Sequence, residues 1–372
     1  MHSPIESAPR SPVRLRAIAR ETVNVAVQAS TPLAPAQSTS PLLSPAALRL
    51  SSSLSADAVA QIARTRRRLS ESFAGKGGAP IVIVGPCSIH CEEAALDYAR
   101  RLLLLREELA GKVEIVMRVY FEKPRTGLGW KGFLYDPDLD GSDDLARGLA
   151  RSRALLVQIA EMGMPIATEI LDPMVAEYFA DCLSWVAIGA RTSESQIHRQ
   201  LASDLPCPVG FKNATSGDVM SALHSVRSAG APHTFLGLDS YGVVSVRRSR
   251  GNEAAHLVLR GGTSGPNHSA LHVQQVARLA REQGTSASLI VDCSHGNSGK
   301  DCRRQAEVVR EVGKQMRQEA SPVVGLMMES HLEEGSQSLS EPLRYGVSVT
   351  DPCLGFDETA ALVRGLALGF ED

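Results

Sequence analysis

From residue 81 onward, short apolar runs rich in β-branched residues alternate with longer stretches whose apolar positions recur at helical spacing. Runs of this length that end in polar or glycine residues predict buried strands, and the stretches between them predict amphipathic helices. The eight predicted strands cover residues 81–87, 114–120, 165–171, 185–191, 208–213, 233–239, 289–295 and 323–330.

This alternation favours an α/β fold, a closed (β/α)8 barrel of the TIM type. An open doubly wound sheet is disfavoured because no glycine-rich dinucleotide turn follows the first strand. Two further predicted strands, at 242–248 and 256–260, are joined by the turn-forming pair Gly251-Asn252. We interpret them as a β-hairpin inserted after strand six of the barrel.

The chain before residue 81 has a different pattern. Ser, Thr, Pro and Ala make up more than half of the first 50 residues, and several prolines exclude a long helix there. Residues 1–45 are therefore predicted to be a flexible Ser/Pro/Ala-rich arm. Ala58, Ile62, Leu69 and Phe73 fall near helical spacing, so residues 46–80 are predicted to be an N-terminal helical extension of the barrel at 81–372.

Composition and charge exclude several classes of protein. The 372 residues include 39 Lys and Arg against 41 Asp and Glu, so the chain carries no global basic field for a nucleic-acid backbone. No apolar run approaches the ~20 residues that span a bilayer. The seven cysteines are scattered without a Cys-x-x-Cys pair, which argues against a disulfide framework or a zinc ribbon. We expect a cytoplasmic protein with no nucleic-acid or membrane partner.

Nearly every predicted strand ends in a charged or metal-binding side chain. In barrels of this type the carboxyl ends of the strands converge on the face that carries the chemistry. Six cations would meet there, and their mutual repulsion predicts a multiply charged, phosphorylated substrate. They are Arg118, Lys123, Arg125, Arg191, Lys212 and Arg260.

A second set at the same face combines a thiolate, an imidazole and two carboxylates, from Cys87, His295, Glu329 and Asp351. Such a mixed donor set would accept a divalent Mn²⁺, Fe²⁺, Co²⁺ or Zn²⁺ ion and discriminate poorly among them. Spacing alone is a weak signal here, because a cysteine in a core and a hydrogen-bonded histidine at a strand end are commoner roles. Barrel topology is what would bring the four together.

Long motifs in a fixed order resemble one known family, from about residue 45 to the C-terminus. They include Gly85-Pro86-Cys87-Ser88-Ile89-His90, residues 117–126, 129–132, 187–192, 208–213, 259–262 and 292–297, and Glu329-Ser330-His331. In these motifs the chain resembles class I 3-deoxy-D-arabino-heptulosonate 7-phosphate (DAHP) synthases. The resemblance implies a metal-dependent condensation of phosphoenolpyruvate with erythrose 4-phosphate and water, which yields DAHP and phosphate as the first step of the shikimate route to aromatic amino acids.

The resemblance also implies roles for individual positions. Metal ligands would be Cys87, His295, Glu329 and Asp351. Phosphoenolpyruvate would be held by Arg118, Lys123, Arg191, Lys212 and Arg260, and erythrose 4-phosphate by Pro124, Arg125 and Thr126. The catalytic residues would be Lys123, Cys87 and His295, with Lys123 positioned to protonate the developing alkoxide.

Several segments depart from the family pattern, including Gly127-Leu128 after the Lys-Pro-Arg-Thr loop and a longer N-terminal arm. The usual Lys-Asn-Gly-Thr-Asp-Gly is Lys212-Asn213-Ala214-Thr215-Ser216-Gly217 in this chain. The family also implies an aromatic amino-acid effector near residues 201–206, but Pro206 stands where a serine is usual and has no side-chain donor. A homodimer or homotetramer is the oligomeric state that the resemblance implies.

Two other functions stay open from the sequence. A Schiff-base aldolase would use Lys212 at the end of a barrel strand as its nucleophile. A non-catalytic, effector-binding barrel would be expected to lose metal ligands or cations, and the sequence retains all of them.

Overall fold

A computed structural model describes residues 40–339 and 342–370. Its strands are β1 (Ile81–Gly85), β2 (Glu114–Arg118), β3 (Ile166–Glu169), β4 (Trp185–Ile188), β5 (Val209–Lys212), β6 (Thr234–Leu238), β7 (Val244–Arg248), β8 (Ala255–Leu259), β9 (Leu289–Asp292) and β10 (Val323–Glu329). Eight of them close a barrel in the order β1-β10-β9-β8-β5-β4-β3-β2. Every pairing in the barrel is parallel, so the predicted (β/α)8 fold is confirmed.

The helices follow the strands as a barrel requires. They are α1 (Pro45–Ser51), α2 (Ala56–Phe73), α3 (Glu92–Glu108), α4 (Leu145–Glu161), α5 (Ala176–Phe179), α6 (Gln196–Asp204), α7 (Met220–Ala229), α8 (Ala270–Glu282), α9 (Arg304–Met316) and α10 (Phe356–Leu368). Short 3₁₀ turns at Pro173–Val175 and Ala180–Cys182 flank α5. Among the described residues, no helix is both long and apolar enough to cross a membrane.

The predicted hairpin is wrong in one of its two strands: residues 242–248 do lie in a hairpin, but their partner is the predicted barrel strand at 233–239, and the predicted partner at 256–260 is a barrel strand. β6 pairs with β7 in an antiparallel hairpin outside the barrel, and β8 is the sixth barrel strand, between β5 and β9. The hairpin therefore precedes the sixth barrel strand instead of following it. The physical reason is burial, since β8 is buried at all five positions whereas β6 and β7 alternate or expose their side chains. A barrel strand needs two apolar faces, and β6 has only one.

The N-terminal extension covers one end of the barrel. Ser55 caps α2 by accepting the N–H of Ala58, and α2 then carries Leu69 and Phe73 into the cluster of side chains that fills the barrel. The ring of Phe73 stacks on the buried His256 of β8 at a centroid distance of 3.5 Å. Burial lowers the pKa of His256 to about 3, so this histidine is a neutral core residue. Substrates must therefore enter at the opposite end, where the strands finish.

The described part of the extension begins with α1 at Pro45 and continues through α2. The predicted flexible arm at 1–45 falls almost wholly on residues 1–39, which lie outside the described residues.

Candidate active site

A cavity of about 160 Å³ opens at the carboxyl ends of the barrel strands. All six predicted cations line it, together with His295, Glu329 and Asp351. Its remaining lining residues are Tyr120, Pro124, Glu169, Ala190, Thr215, Lys300 and Thr350. Cys87 lies beneath this lining and is fully buried, whereas Thr126 is exposed beyond it.

Three of the four predicted metal ligands converge. The donor atoms of Cys87, Glu329 and Asp351 all lie within 4.8 Å of one another. β1 and β10 bring the first two together, because they are neighbours in register with Gly85 opposite Glu329. Gly85 has φ +153°, and a Cβ there would lie 2.8 Å from the carbonyl oxygen of Arg118, so glycine is required for this close approach.

The fourth predicted ligand, His295, approaches the cluster from β9. Its Nε2 lies 3.9 Å from Oε1 of Glu329. The residue adopts φ +53°, an uncommon backbone conformation for a side chain of this size, and its carbonyl accepts the N–H of Lys300 at 2.8 Å. The backbone around the histidine is thus held in a strained arrangement of the kind found at functional sites.

Arg118 is a cation withdrawn from solvent at the floor of the cavity. Its Nη2 lies 2.9 Å from Oε1 of Glu329, and both side chains are at most 2% exposed. The guanidinium also lies over the ring of Tyr120, 4.1 Å from its centroid, and its Nε has no hydrogen-bond partner among the residues that the structure describes. A buried donor without a partner points into space that an anionic ligand would fill.

Lys212 is held between two buried carboxylates. Its Nζ lies 3.3 Å from Oε2 of Glu169 and 3.5 Å from Oδ2 of Asp292. Burial alone would lower the pKa of Lys212, but Glu169, Tyr120 and Asp292 raise it. Burial would likewise raise the pKa of Glu169, and Lys212 with Lys123 lowers it. The lysine is therefore an ammonium ion with fixed counter-charges, which suits the binding of an anion and opposes nucleophilic attack.

Lys123 contacts the predicted metal ligand Cys87 directly. Its Nζ lies 3.0 Å from the carbonyl oxygen of Cys87 and 3.1 Å from its Sγ. Burial would lower the pKa of Lys123, whereas its electrostatic interactions with Cys87 and Glu329 raise it. Burial and Glu329 raise the pKa of the Cys87 thiol, and Lys123 opposes them. Lys123 is thus a protonated acid at the edge of the donor cluster.

The rim of the cavity carries the more exposed cations. Arg125 and Arg191 are exposed, and Arg260 is half-buried. Arg125 is oriented by its Nε, which donates to the carbonyl of Trp130 at 2.7 Å. The backbone N–H of Arg260 donates to Oδ1 of Asn213 at 2.8 Å, which links the ends of β5 and β8.

Sequence reasoning missed several residues of the cavity. Tyr120 lies two positions after Arg118, so the period of two along an extended chain would have put both on one face. Asp292 lies inside the predicted strand at 289–295, where residue type predicts no role for it, although it lies beside both Lys212 and His295. Lys300 and Thr350 lie in long loops, where residue type alone gives no sign of position.

Comparison with known proteins agrees with this geometry. Residues 56–364 match the DAHP synthetase I family. The Tyr-sensitive phospho-2-dehydro-3-deoxyheptonate aldolase of Escherichia coli K12 is 47% identical over 326 residues, which is 87% of this chain and 91% of the relative. The Phe-sensitive and Trp-sensitive enzymes of the same organism are 46% and 45% identical over 328 residues, 88% of this chain and 93% and 94% of theirs.

A solved structure gives the same result in three dimensions. The phospho-2-dehydro-3-deoxyheptonate aldolase of Francisella tularensis SCHU S4 superposes with a TM-score of 0.88 at 41% sequence identity. The match covers 90% of this chain and 98% of that one. The predicted resemblance is confirmed, and the chain belongs to the DAHP synthetase I family.

Proposed function

We propose that this chain is a transferase that condenses phosphoenolpyruvate with erythrose 4-phosphate and water, yielding DAHP and phosphate, with the help of a divalent metal ion. The observation that carries the proposal is the convergence, in one cavity, of six cations and a cluster of thiol and carboxylate donors. Six cations can neutralise the charges of two phosphorylated substrates, and membership of the DAHP synthetase I family implies two such substrates.

Phosphoenolpyruvate carries a phosphate and a carboxylate, and we assign both to the deeper cations. Arg118 and Lys212 are almost fully buried, so they act in a medium where charge interactions are strong. Lys123, Arg191 and Arg260 complete this set. Erythrose 4-phosphate is assigned to Pro124, Arg125 and Thr126 on the exposed side of the same loop.

The donor chemistry fits a divalent ion. Cys87, His295, Glu329 and Asp351 offer one soft, one intermediate and two hard ligands, a set suited to Mn²⁺, Fe²⁺, Co²⁺ or Zn²⁺. Such an ion, when bound, supplies Lewis-acid polarisation of the aldehyde of erythrose 4-phosphate.

The chain's own residues then account for orientation and proton transfer. The buried cations hold C3 of phosphoenolpyruvate towards the aldehyde carbon, and the new C–C bond leaves an alkoxide that Lys123 protonates. Water adds to C2 of the former enol and gives up a proton, for which the ionised Glu169 is our candidate acceptor. The C2–O bond to phosphate then breaks, and inorganic phosphate leaves.

The two alternative functions are less well supported. Lys212 is paired with Glu169 and Asp292 and its pKa is raised, whereas a Schiff-base lysine needs a neutral amine. A binding barrel without activity would have no need for a complete donor cluster beside a protonated lysine.

Regulation, assembly and location remain predictions. Tyr-, Phe- and Trp-sensitive relatives make an aromatic amino-acid effector part of the proposal. Pro206 lines a separate cleft of about 520 Å³ beside α2. The carboxylate of nearby Asp204 is already paired with Arg247, at 2.5 Å. We therefore propose that inhibition by an aromatic amino acid is weak in this chain. A homodimer or homotetramer and a cytoplasmic location rest on the family resemblance.

The test is consumption of phosphoenolpyruvate with and without erythrose 4-phosphate, before and after a chelator, and with each aromatic amino acid. We expect consumption to require both substrates, to stop with the chelator and to return with Mn²⁺. Glu329→Gln should abolish it, while Glu333→Gln, at an exposed position nearby, should not. Chelator-insensitive consumption, or none at all, would overturn the proposal.

A further inference from the structure

Asp292, at the end of β9, is a buried carboxylate that the proposed mechanism does not use. Its side chain is fully withdrawn from solvent. Oδ1 accepts two bonds from Ser294, from the backbone N–H at 3.0 Å and from the hydroxyl at 2.5 Å. Oδ2 lies 3.5 Å from Nζ of Lys212 and 3.0 Å from Nδ1 of His295. A buried anion is stable in this setting because a lysine supplies its counter-charge.

Ser294 connects this carboxylate to the histidine ring. Its hydroxyl lies 2.7 Å from Nδ1 of His295. The hydroxyl has a single proton, and that proton is donated to Asp292. Ser294 Oγ must therefore accept from His295, which requires the ring proton to be on Nδ1.

The consequence falls on the other ring nitrogen. With the proton on Nδ1, Nε2 keeps a free electron pair, and Nε2 is the atom that faces the donor cluster, 3.9 Å from Oε1 of Glu329. The loop that carries the ring is also fixed, since Nδ2 of Asn297 donates to the carbonyls of Asp292 and Leu259. Residues that hydrogen-bond to the non-ligating ring nitrogen of a metal-bound histidine set the tautomer and basicity of that ring.

We propose that Asp292 and Ser294 are positioning residues that fix the tautomer and direction of His295 and thereby set the affinity of this chain for its divalent ion. The inference rests on the proposed function only in taking His295 as a ligand. Neither residue touches substrate in this account, and both act through the imidazole.

The test compares three single variants by their dissociation constants for Mn²⁺, measured from the paramagnetic resonance signal of the free ion. Asp292→Asn removes the anion, and Ser294→Ala removes the hydroxyl that connects it to the ring. Glu169→Gln is the matched control, because it removes the other buried carboxylate from Lys212 and leaves His295 untouched. Chelator-treated protein is titrated without either substrate, so turnover plays no part.

We expect Asp292→Asn to weaken Mn²⁺ binding by about tenfold or more, and Ser294→Ala to weaken it by more than the control does. Glu169→Gln should change the dissociation constant for Mn²⁺ by less than about threefold, since it alters only the electrostatic potential at the donor cluster. At saturating Mn²⁺, Ser294→Ala should regain most of its turnover, which a loss of folding would not allow. Thermal melting identifies a variant that does not fold. If Asp292→Asn does not fold, the Mn²⁺ affinity of Ser294→Ala, which loses only one hydroxyl, tests the inference alone.

Equal losses in Asp292→Asn and Glu169→Gln would overturn the inference, because they would report lost negative charge alone. An unchanged affinity of Ser294→Ala for Mn²⁺ would overturn the inference as well. Failure of the proposed function has a different signature, since in that case the unaltered protein itself would bind no Mn²⁺ or would not consume both substrates.

Discussion

Arg118 and Glu329 form an ion pair of 2.9 Å between two side chains that are each at most 2% exposed. One is the deepest of the proposed substrate cations, and the other is a proposed metal ligand. The substrate site and the donor cluster are therefore in direct electrostatic contact, and a change in one alters the charge balance of the other.

The first prediction concerns the stability of this pair. Arg118→Met should lower the free energy of unfolding of the metal-free protein by about 3–5 kcal/mol, because it leaves Glu329 as an uncompensated buried charge. Saturating Mn²⁺ should recover part of that loss by giving the carboxylate a new counter-charge. Denaturant unfolding with and without Mn²⁺ measures both effects.

Arg364→Met is the matched control, since Arg364 pairs with Glu108 at 2.7 Å on the surface, where both side chains are nearly half exposed. Arg364→Met should cost much less stability than Arg118→Met, because solvent screens the exposed pair, and it should show no response to Mn²⁺. Equal losses in the two variants would contradict our description of the buried pair.

The second prediction concerns the proposed acid. Lys123→Ala should reduce kcat at least ~100-fold, because it removes the ammonium that lies 3.1 Å from Cys87 Sγ and is assigned to protonate the alkoxide. Lys131→Ala removes an exposed lysine from the same loop and should leave kcat nearly unchanged. Steady-state kinetics at saturating substrates and Mn²⁺ compare the two, and near-normal turnover of Lys123→Ala would refute its role.

The third prediction is a pH dependence of stability from Glu122. This carboxyl accepts the backbone N–H groups of Leu171 and Asp172, both at 3.1 Å, and is 2% exposed. Burial raises its pKa from the usual 4.5 to about 8. The folded protein thus holds this proton more tightly than the unfolded chain, so the stabilisation is complete below about pH 4.5 and is lost as the pH rises through about 8.

Glu122→Gln should remove this contribution. Between about pH 5 and 8, the unfolding free energy of the unaltered protein should fall relative to that of the variant by about 1.4 kcal/mol per pH unit. Guanidinium unfolding of both proteins across this range measures the difference, and parallel profiles would show that Glu122 has an ordinary pKa in the folded state.

The fourth prediction separates metal-assisted condensation from Schiff-base chemistry. Borohydride added with the aldehyde substrate erythrose 4-phosphate should leave Lys212 unmodified, because Glu169 and Asp292 keep it an ammonium ion. Peptide mass analysis reads the result directly. A reduced adduct on Lys212 would favour the aldolase alternative.

The barrel could be predicted because its strands are buried on both faces, which makes them nearly continuous apolar runs such as Ile81–Gly85. The wrong prediction of residues 233–239 as a barrel strand has the same origin, because that segment is also a short apolar run. Thr234–Leu238 has three apolar residues and Ala255–Leu259 has four, so composition hardly separates the two strands, which differ in how many of their faces are covered. Which strand is covered depends on the whole assembly and is not encoded in either segment.

The candidate site could be predicted as a set of residue types at strand ends, but its internal contacts could not. Asp292 has partners on β5 and in its own loop, and their distances depend on the registers of separate strands. Residue type at a strand end predicts His295 as a ligand, while its positive φ has no sequence signal. The pairing of Arg118 with Glu329 likewise depends on topology, because β2 and β10 are far apart in the sequence but both lie next to β1 in the closed barrel.

The most direct test of the central claim is the fate of the vinyl carbon of phosphoenolpyruvate. The protein is incubated with [3-¹³C]phosphoenolpyruvate, erythrose 4-phosphate and Mn²⁺, and followed by ¹³C nuclear magnetic resonance. Our account predicts that the vinyl signal is replaced by the ring methylene signal of DAHP, with one phosphate released for each carbon–carbon bond formed. Conversion to the methyl carbon of pyruvate, or an unchanged vinyl signal with metal and both substrates present, would contradict it.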